Sequence, residues 1–261
     1  KGIFVLLFSF IISAVFIASI LEFSLKKLQI DLTSAMLFHF VSYLIIFLIP
    51  VFCFDYFILK LENKKLNFNF SPKNFQTYLL IFPMMLGIML FSEFFTNLIP
   101  IEGKWLGGLY KQFSLQLAFL MTDKVAMFIM VVLYAPIIEE IIFRGIIQKG
   151  LINSGVKPWM SILIASLVFG IIHGNPWQFV GAVLMGSVLG LVYYKTKSLL
   201  MPILLHAFNN FCSFILLASG NTESIAKTFN LPEWTLFLAG IIIFSTFYYL
   251  FMKKNKVVYT E

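Results

Sequence analysis

Long runs of apolar residues dominate the chain, and short polar stretches separate them. Eight of these runs approach the length of about 20 residues that an α-helix needs to cross the hydrocarbon core of a bilayer. They cover residues 2–21, 34–59, 75–97, 124–150, 158–173, 176–195, 199–218 and 233–252. The pattern therefore predicts an all-α fold, a polytopic membrane helical bundle with about eight transmembrane helices.

Three stretches refine this prediction. The run 158–173 is short, and only residues 174–176 separate it from the next run, so a tight helical hairpin is expected here, with seven helices as the alternative count. The first run is too long for the apolar part of a signal peptide, so we interpret it as a transmembrane helix. The connection 98–123 contains Trp105 and Tyr110, which predicts an interfacial or amphipathic element.

The composition supports a membrane protein. Of the 261 residues, 60% are hydrophobic and 12% are charged, whereas soluble domains are nearer to one half and one quarter. A water-soluble core of this size could not hide so much apolar surface, so lipid must solvate much of it. We expect a single integral membrane domain over residues 1–261 in the cell membrane.

The net charge of +7 does not indicate nucleic-acid binding. The lysines are scattered at the ends of the apolar runs, where they meet lipid headgroups, instead of gathering on one polar face. In an eight-helix arrangement most of them fall on the side that holds both chain termini. Both termini are therefore predicted to be cytoplasmic, with the lipid bilayer as a partner and no nucleic acid.

A few polar residues interrupt the apolar runs. A charged side chain within hydrocarbon costs several kcal/mol unless it is paired or lines a wet cavity. The exceptions here concentrate in three neighbouring spans, which places a catalytic core in helices four to seven. They are Glu139, Glu140, Arg144, His173, His206 and Asn210.

The first group lies in the fourth span. Glu140 and Arg144 are four residues apart and can form an ion pair on one helix face. Glu139 is rotated by about 100° from Glu140 and has no partner in its own helix. We interpret Arg144 as offsetting Glu140 and orienting the site, which leaves Glu139 to act as a base. The alternative is that all three only join helices.

Histidines supply the other two groups. His206 and Asn210 share one helix face in the seventh span, and His173 lies near the end of the fifth. The third histidine of the chain, His39, stands among Phe and Leu and is interpreted as structural.

This set of side chains fits hydrolysis. A carboxylate facing an imidazole can hold a water molecule and take its proton. A second imidazole and a carboxamide can stabilise the oxyanion that develops on an amide carbonyl. A covalent nucleophile is disfavoured, because no Ser or Cys except Cys212 occurs in these groups. A zinc site of Glu139, His173 and His206 is an open alternative, although no HExxH pattern is present.

Three motifs together resemble the CPBP family of intramembrane glutamate proteases, which comprises CAAX prenyl endopeptidases and bacteriocin-processing (Abi) proteins. The family pattern is EExxxR, FxxxH and HxxxN or HxxxD on successive membrane helices. The matching segments are Glu139-Glu140-Ile-Ile-Phe-Arg144, Phe169-Gly-Ile-Ile-His173 and His206-Ala-Phe-Asn-Asn210. The resemblance covers roughly residues 124–218.

The resemblance implies an intramembrane endopeptidase that requires no cofactor. Its roles transfer to six positions: Glu139 as general base, His173 as its partner in holding the water, His206 and Asn210 as the oxyanion site, and Glu140 and Arg144 in support. The implied substrate is a membrane-embedded or lipidated peptide or protein, of the prenylated CAAX type or the bacteriocin and leader type.

Two other functions remain open from the sequence. One is a non-catalytic membrane scaffold or bacteriocin-immunity protein that binds a partner in the bilayer. The other is a proton-coupled transporter, against which the chain shows no paired broken helices in two halves. At about 1.5 Å per residue, His206, Glu139 and His173 lie about 11, 18 and 24 Å from the cytosolic helix ends, so the sequence alone does not show that they meet.

Overall fold

The computed structural model describes residues 2–28, 36–220 and 224–255. All regular secondary structure in these residues is helical, which confirms the predicted all-α fold. The chain divides into two compact units, Lys1–Phe68 and Asn69–Glu261. All three motifs lie in the second unit, and the single domain over 1–261 stays a prediction.

The first unit consists of two long helices. Helix α1 covers Gly2–Phe23 and continues as the π-helical segment Ser24–Leu28, and α2 covers Met36–Phe54 and continues as Asp55–Leu59. The rings of Phe10 and Phe47 meet edge to face with centroids 5.4 Å apart, so the two helices pack against each other. The predicted start of the second span at residue 34 lies outside the described residues, as do both chain termini.

The second unit contains eight helices among its described residues. They are α3 Phe75–Asn97, α4 Leu106–Leu120, α5 Lys124–Asn153, α6 Pro158–Ile171, α7 Pro176–Thr196, α8 Leu200–Gly220, α9 Ile225–Thr228 and α10 Glu233–Lys254.

Seven helices in the described part of the chain are long and apolar enough to cross a membrane: α1, α2, α3, α5, α7, α8 and α10. Helix α6 is apolar but has only 14 residues, which gives it a length of about 21 Å against about 30 Å of hydrocarbon. The chain is a multi-pass membrane protein. Its helix count depends on α6, the run whose shortness the sequence already indicated.

Helices α3, α7, α8 and α10 surround the core of the second unit, where Met84, Val192, Leu205 and Phe251 are buried. Helices α3 and α10 touch backbone to backbone. A Cβ atom on Gly87 would lie 2.5 Å from Phe244 N, and one on Gly240 would lie 2.6 Å from Phe91 N. Small residues permit such close helix contacts in membranes, so these two glycines are required at the crossing.

Helices α6 and α7 form the expected tight hairpin. The chain reverses at Gly174, which has a φ of +70° that favours glycine. A Cβ on Gly170 of α6 would lie 2.7 Å from Val183, and one on Gly190 of α7 would lie 3.0 Å from Ile162. The later residue of α6 thus meets the earlier residue of α7, and the earlier residue of α6 meets the later one of α7. Helix α6 is therefore antiparallel to α7 over most of its length.

The connection 98–123 contains α4, the element predicted there. Tyr110 packs edge-on against Trp177 at the start of α7, with ring centroids 5.1 Å apart. Trp105, just before α4, is exposed, which agrees with a position at the membrane interface.

Helix α5 is not a regular α-helix. It contains two π-helical segments, Phe128–Tyr134 and Ile141–Gln148, on either side of the α-helical turn Ala135–Glu140. Segments of π-helix are rare and occur mostly at functional sites. In α5 they border the two glutamates that the sequence analysis identified.

Candidate active site

Three helices of the second unit supply the predicted site residues. Helix α5 carries Glu139, Glu140 and Arg144, α6 leads into His173, and α8 carries His206 and Asn210. Glu140 and Arg144 are completely buried, and Glu139 and His206 are 7% and 6% exposed. The structure brings these last four residues together.

Glu140 and Arg144 form the predicted ion pair within α5. Arg144 Nη1 donates to Glu140 Oε1 at 2.6 Å, and Nη2 donates to the Gly186 carbonyl of α7 at 3.0 Å. The guanidinium also lies over the ring of Phe169, with Cζ 5.0 Å from its centroid. A buried pair needs such additional partners to offset the loss of hydration, so this pair joins α5 to both α6 and α7.

His206 lies against both glutamates. Its Nδ1 is 2.8 Å from Glu140 Oε1, and its Nε2 is 3.7 Å from Glu139 Oε2. An ionised carboxylate only accepts hydrogen bonds, so Nδ1 donates to Glu140, and Nε2 is the ring nitrogen directed at Glu139. The sequence analysis placed Glu139 and His206 at different distances from the cytosolic helix ends, but in the structure the two side chains lie next to each other.

His173 is held by its own segment. Its Nδ1 donates to the Phe169 carbonyl at 2.8 Å, and its ring meets the Phe169 ring edge to face at 4.9 Å. Phe169 also meets His206, with ring centroids 5.6 Å apart. The two motif histidines therefore contact one phenylalanine, and Nδ1 of His173 is engaged by a backbone carbonyl of its own segment.

Asn210 lies one turn after His206 on α8. Its Nδ2 donates to the Val131 carbonyl of α5 at 2.8 Å, and its Oδ1 accepts from Asn209 Nδ2 at 3.0 Å. One amide hydrogen of Asn210 is thus engaged in a hydrogen bond between α8 and α5. The predicted share of Asn210 in an oxyanion site stays a prediction.

Gln148, one turn after Arg144 on α5, is a buried polar residue that the sequence analysis missed. It is completely buried and donates through Nε2 to the Gly190 carbonyl at 2.9 Å. This contact repeats the bond from Arg144 to Gly186 four residues further along both helices. The available signal was a lone amide four residues after Arg144 in an apolar run.

A zinc site would require three or more ligand side chains close together. Among the residues that the structure describes, no group of three or more His, Cys, Asp or Glu side chains is arranged to hold a metal ion. Glu139, His173 and His206 do not form such a group. Independence of metal stays a prediction that a chelator experiment can test.

Comparison with known proteins identifies the central segment. Residues 121–212 match the family model described as "Type II CAAX prenyl endopeptidase Rce1-like". A stretch of 75 residues is 36% identical to "Putative membrane peptidase YdiL" of Bacillus subtilis (strain 168). That stretch covers 29% of this chain and 30% of the relative. No solved structure matches the chain significantly.

The predicted resemblance to the CPBP family is confirmed over the matched segment, which includes all three motifs. Both descriptions name a peptidase, so the matched segment is similar to a part of membrane peptidases.

Proposed function

We propose that the protein is an intramembrane endopeptidase that hydrolyses a peptide bond with a water molecule activated by Glu139. The observation that carries this proposal is the position of His206, whose imidazole is buried against two carboxylates at 2.8 and 3.7 Å. The family match over residues 121–212 points to the same class of activity.

The two glutamates have different tasks in this proposal. Glu140 is held by Arg144 and bonds His206 Nδ1, so it fixes the orientation and tautomer of the imidazole. Glu139 lies opposite the other ring nitrogen. The distance of 3.7 Å between Glu139 Oε2 and His206 Nε2 is too long for a direct hydrogen bond, but it allows both atoms to bond the same water.

The reaction follows general acid–base chemistry. Glu139 takes one proton from the water as its oxygen attacks the carbonyl carbon of the scissile bond. The tetrahedral intermediate then collapses, the C–N bond breaks, and the leaving amine takes the proton from Glu139. The resemblance assigns the water to Glu139 and His173, whereas the contacts of His206 support a place for His206 beside the same water.

The substrate in this proposal is a membrane-embedded or lipidated peptide or protein, of the prenylated CAAX type or the leader type. Support comes from the location of the site in α5 and α8, which are both long enough to cross the membrane. The scissile bond must therefore reach Glu139 from within the bilayer or from its surface. Both termini are proposed to be cytoplasmic, and no metal is proposed to take part.

The test compares purified wild-type protein with Glu139→Gln in liposomes that contain quenched fluorescent peptides, prenylated and unprenylated. We expect Glu139→Gln to lower kcat by about 10²–10⁴-fold, the usual range for a general base. Glu102→Gln is the matched control, because Glu102 is exposed and lies outside the site.

Equal hydrolysis by wild type and Glu139→Gln would overturn the mechanism. If the wild type cleaves none of these peptides, and the same membrane peptides accumulate in cells with either protein, the non-catalytic scaffold replaces the peptidase. Activity that is lost in EDTA and restored by zinc would favour the metal alternative.

A further inference from the structure

A proline interrupts the hydrogen bonding of α5 just before the glutamates. The first π-helical segment ends with Ala135 N–H donating to the Met130 carbonyl, five residues earlier. The next residue is Pro136, which has no N–H. The Val131 carbonyl would accept from the N–H of residue 135 in an α-helix or from the N–H of residue 136 in a π-helix. The N–H of Ala135 already donates to Met130, and Pro136 has no N–H.

Asn210 supplies the missing donor from another helix. Its Nδ2 donates to the Val131 carbonyl at 2.8 Å, which matters because an unsatisfied carbonyl in a membrane interior is costly. Asn209 Nδ2 donates to Asn210 Oδ1 at 3.0 Å. Since Oδ1 is engaged in this way, the NH₂ end of the Asn210 amide faces Val131.

This bond lies next to the contacts of the site. On α8, Asn210 follows His206 by one helical turn, and on α5, Val131 precedes Glu139 by about two turns. The bond from Asn210 to Val131 and the bond from His206 to Glu140 therefore connect the same two helices. Together they fix how far α8 is shifted along α5 and thereby fix the position of the imidazole.

We propose that Pro136, Asn210 and Asn209 form a positioning device for His206. Pro136 leaves a carbonyl of α5 without a helical donor, Asn210 docks on that carbonyl, and Asn209 orients the Asn210 amide. Asn210 is then a positioning residue, which differs from the oxyanion role that the family resemblance implies. The effect on catalysis rests on the proposed function, whereas the docking itself does not.

The proposal predicts that Asn210→Ala has little further effect once α5 has its own donor for the Val131 carbonyl, because the amide then has no free carbonyl on which to dock. Pro136→Ala restores an N–H group, and it also permits a regular α-helix in which Ala135 N–H bonds the Val131 carbonyl. The experiment measures kcat, KM and unfolding temperature for the wild type, Asn210→Ala, Pro136→Ala and the double variant, all in the same detergent.

We expect Asn210→Ala to lower kcat by about tenfold or more, with KM changed by less than about threefold, and to lower the unfolding temperature. Pro136→Ala should itself lower kcat toward the level of Asn210→Ala, because the Val131 carbonyl then has its own donor and no longer needs the amide. In the Pro136→Ala background, Asn210→Ala should change kcat by less than about threefold and should no longer lower the unfolding temperature. Pro83→Ala is the matched control, because it removes a proline from the interior of α3. When it is combined with Asn210→Ala, the unfolding temperature should stay as low as that of Asn210→Ala.

The outcomes separate the possible roles of Asn210. If Pro136→Ala keeps the wild-type kcat and Asn210→Ala still lowers kcat by about tenfold in that background, Asn210 acts directly on the oxyanion and the positioning role is wrong. Additive losses in both measurements would also overturn it. If wild type hydrolyses nothing, the proposed function fails, whereas recovery of the unfolding temperature in the double variant still supports docking on Val131.

Discussion

Two neighbouring glutamates of identical chemistry have different surroundings in this site. Consecutive residues of a helix point about 100° apart, so Glu140 faces Arg144 while Glu139 faces Nε2 of His206. Glu140 is completely buried, and Glu139 retains a small exposed fraction of 7%. Orientation and proton transfer are thus assigned to different carboxylates.

The burial of Glu140 leads to a prediction about stability. Glu140→Gln leaves the Arg144 guanidinium buried without its counter-charge, which typically costs about 3–5 kcal/mol. Glu139→Gln removes no charge from that pair, so its unfolding temperature should stay near that of the wild type. The measurement is thermal unfolding in detergent followed by tryptophan fluorescence. Similar unfolding temperatures for the two variants would contradict the assignment.

The histidines can be separated in the same way. His206→Ala and His173→Ala should each lower kcat by about 10²-fold or more, because both motifs belong to the proposed site. Only His206→Ala should also lower the unfolding temperature, since His206 bonds the buried Glu140. His39→Ala is the control histidine and should keep its activity. A stable, inactive His206→Ala would show that the bond to Glu140 is unimportant for folding.

The sequence predicts contacts within a helix better than contacts between helices. The spacing of Glu140 and Arg144 was enough to predict their ion pair. The bond between His206 and Glu140 could not be derived, because it depends on how far α8 is shifted along α5. Asn209 and Gln148 have ordinary polar side chains, and only their partners show what they do.

At the scale of helices, the π-helical segments of α5 explain how a row of polar side chains can face α7. Residues four apart advance by about 40° around a regular α-helix, and the wider π-helical turn reverses this drift. Arg144 and Gln148 accordingly share the face of α5 that lies against α7, where they bond Gly186 and Gly190. The π-helical turns could not be predicted from the sequence, because the residues around these polar positions are apolar on every side.

The contact between α5 and α7 predicts an effect of Gly190→Ala. The added Cβ would lie 2.7 Å from Gln148 Oε1 and 3.0 Å from Ile162. Gln148 is buried and already bonded to this residue, so relief of the clash breaks that bond. We expect a loss of about 1–3 kcal/mol, typical of overpacking, with reduced activity.

Gly150→Ala is the control for Gly190→Ala, because a Cβ on Gly150 of α5 meets nothing within 4 Å. This substitution should be neutral or stabilising by up to about 1 kcal/mol, since alanine favours a helix. Unfolding temperatures of the two variants in the same detergent decide the point. If Gly190→Ala is as stable as Gly150→Ala, the helices are not in close contact at this position.

For the whole molecule, the α6–α7 hairpin connects helix number to membrane topology. Seven full-length spans alone would put the two ends of the chain on opposite sides. Because α6 runs antiparallel to α7 over most of its length, the predicted common side of both termini requires α6 to return the chain across the bilayer. The orientation of the termini stays a prediction. The apolar runs alone could not show the α6–α7 hairpin, since they do not indicate which helices are paired.

Fusions with alkaline phosphatase can test this topology. A fusion after Gly103, between α3 and α4, should be active, because the predicted orientation places it outside the cytosol. Fusions after Gly155, between α5 and α6, and after Lys197, at the end of α7, should be inactive. A green fluorescent protein series at the same positions should show the opposite pattern. An active alkaline phosphatase fusion at Gly155 would show that the orientation is the opposite of the predicted one.

The glycine contact between α3 and α10 affects the order of events during synthesis. A ribosome releases the chain from its N-terminal side, so α3 and all three motifs enter the membrane before α10 has been made. Until α10 arrives, Gly87 on α3 lacks the neighbour that its small size accommodates. The nascent chain thus contains every motif residue early but gains the contact between α3 and α10 late, and the proposed peptide hydrolysis should begin only after translation of α10.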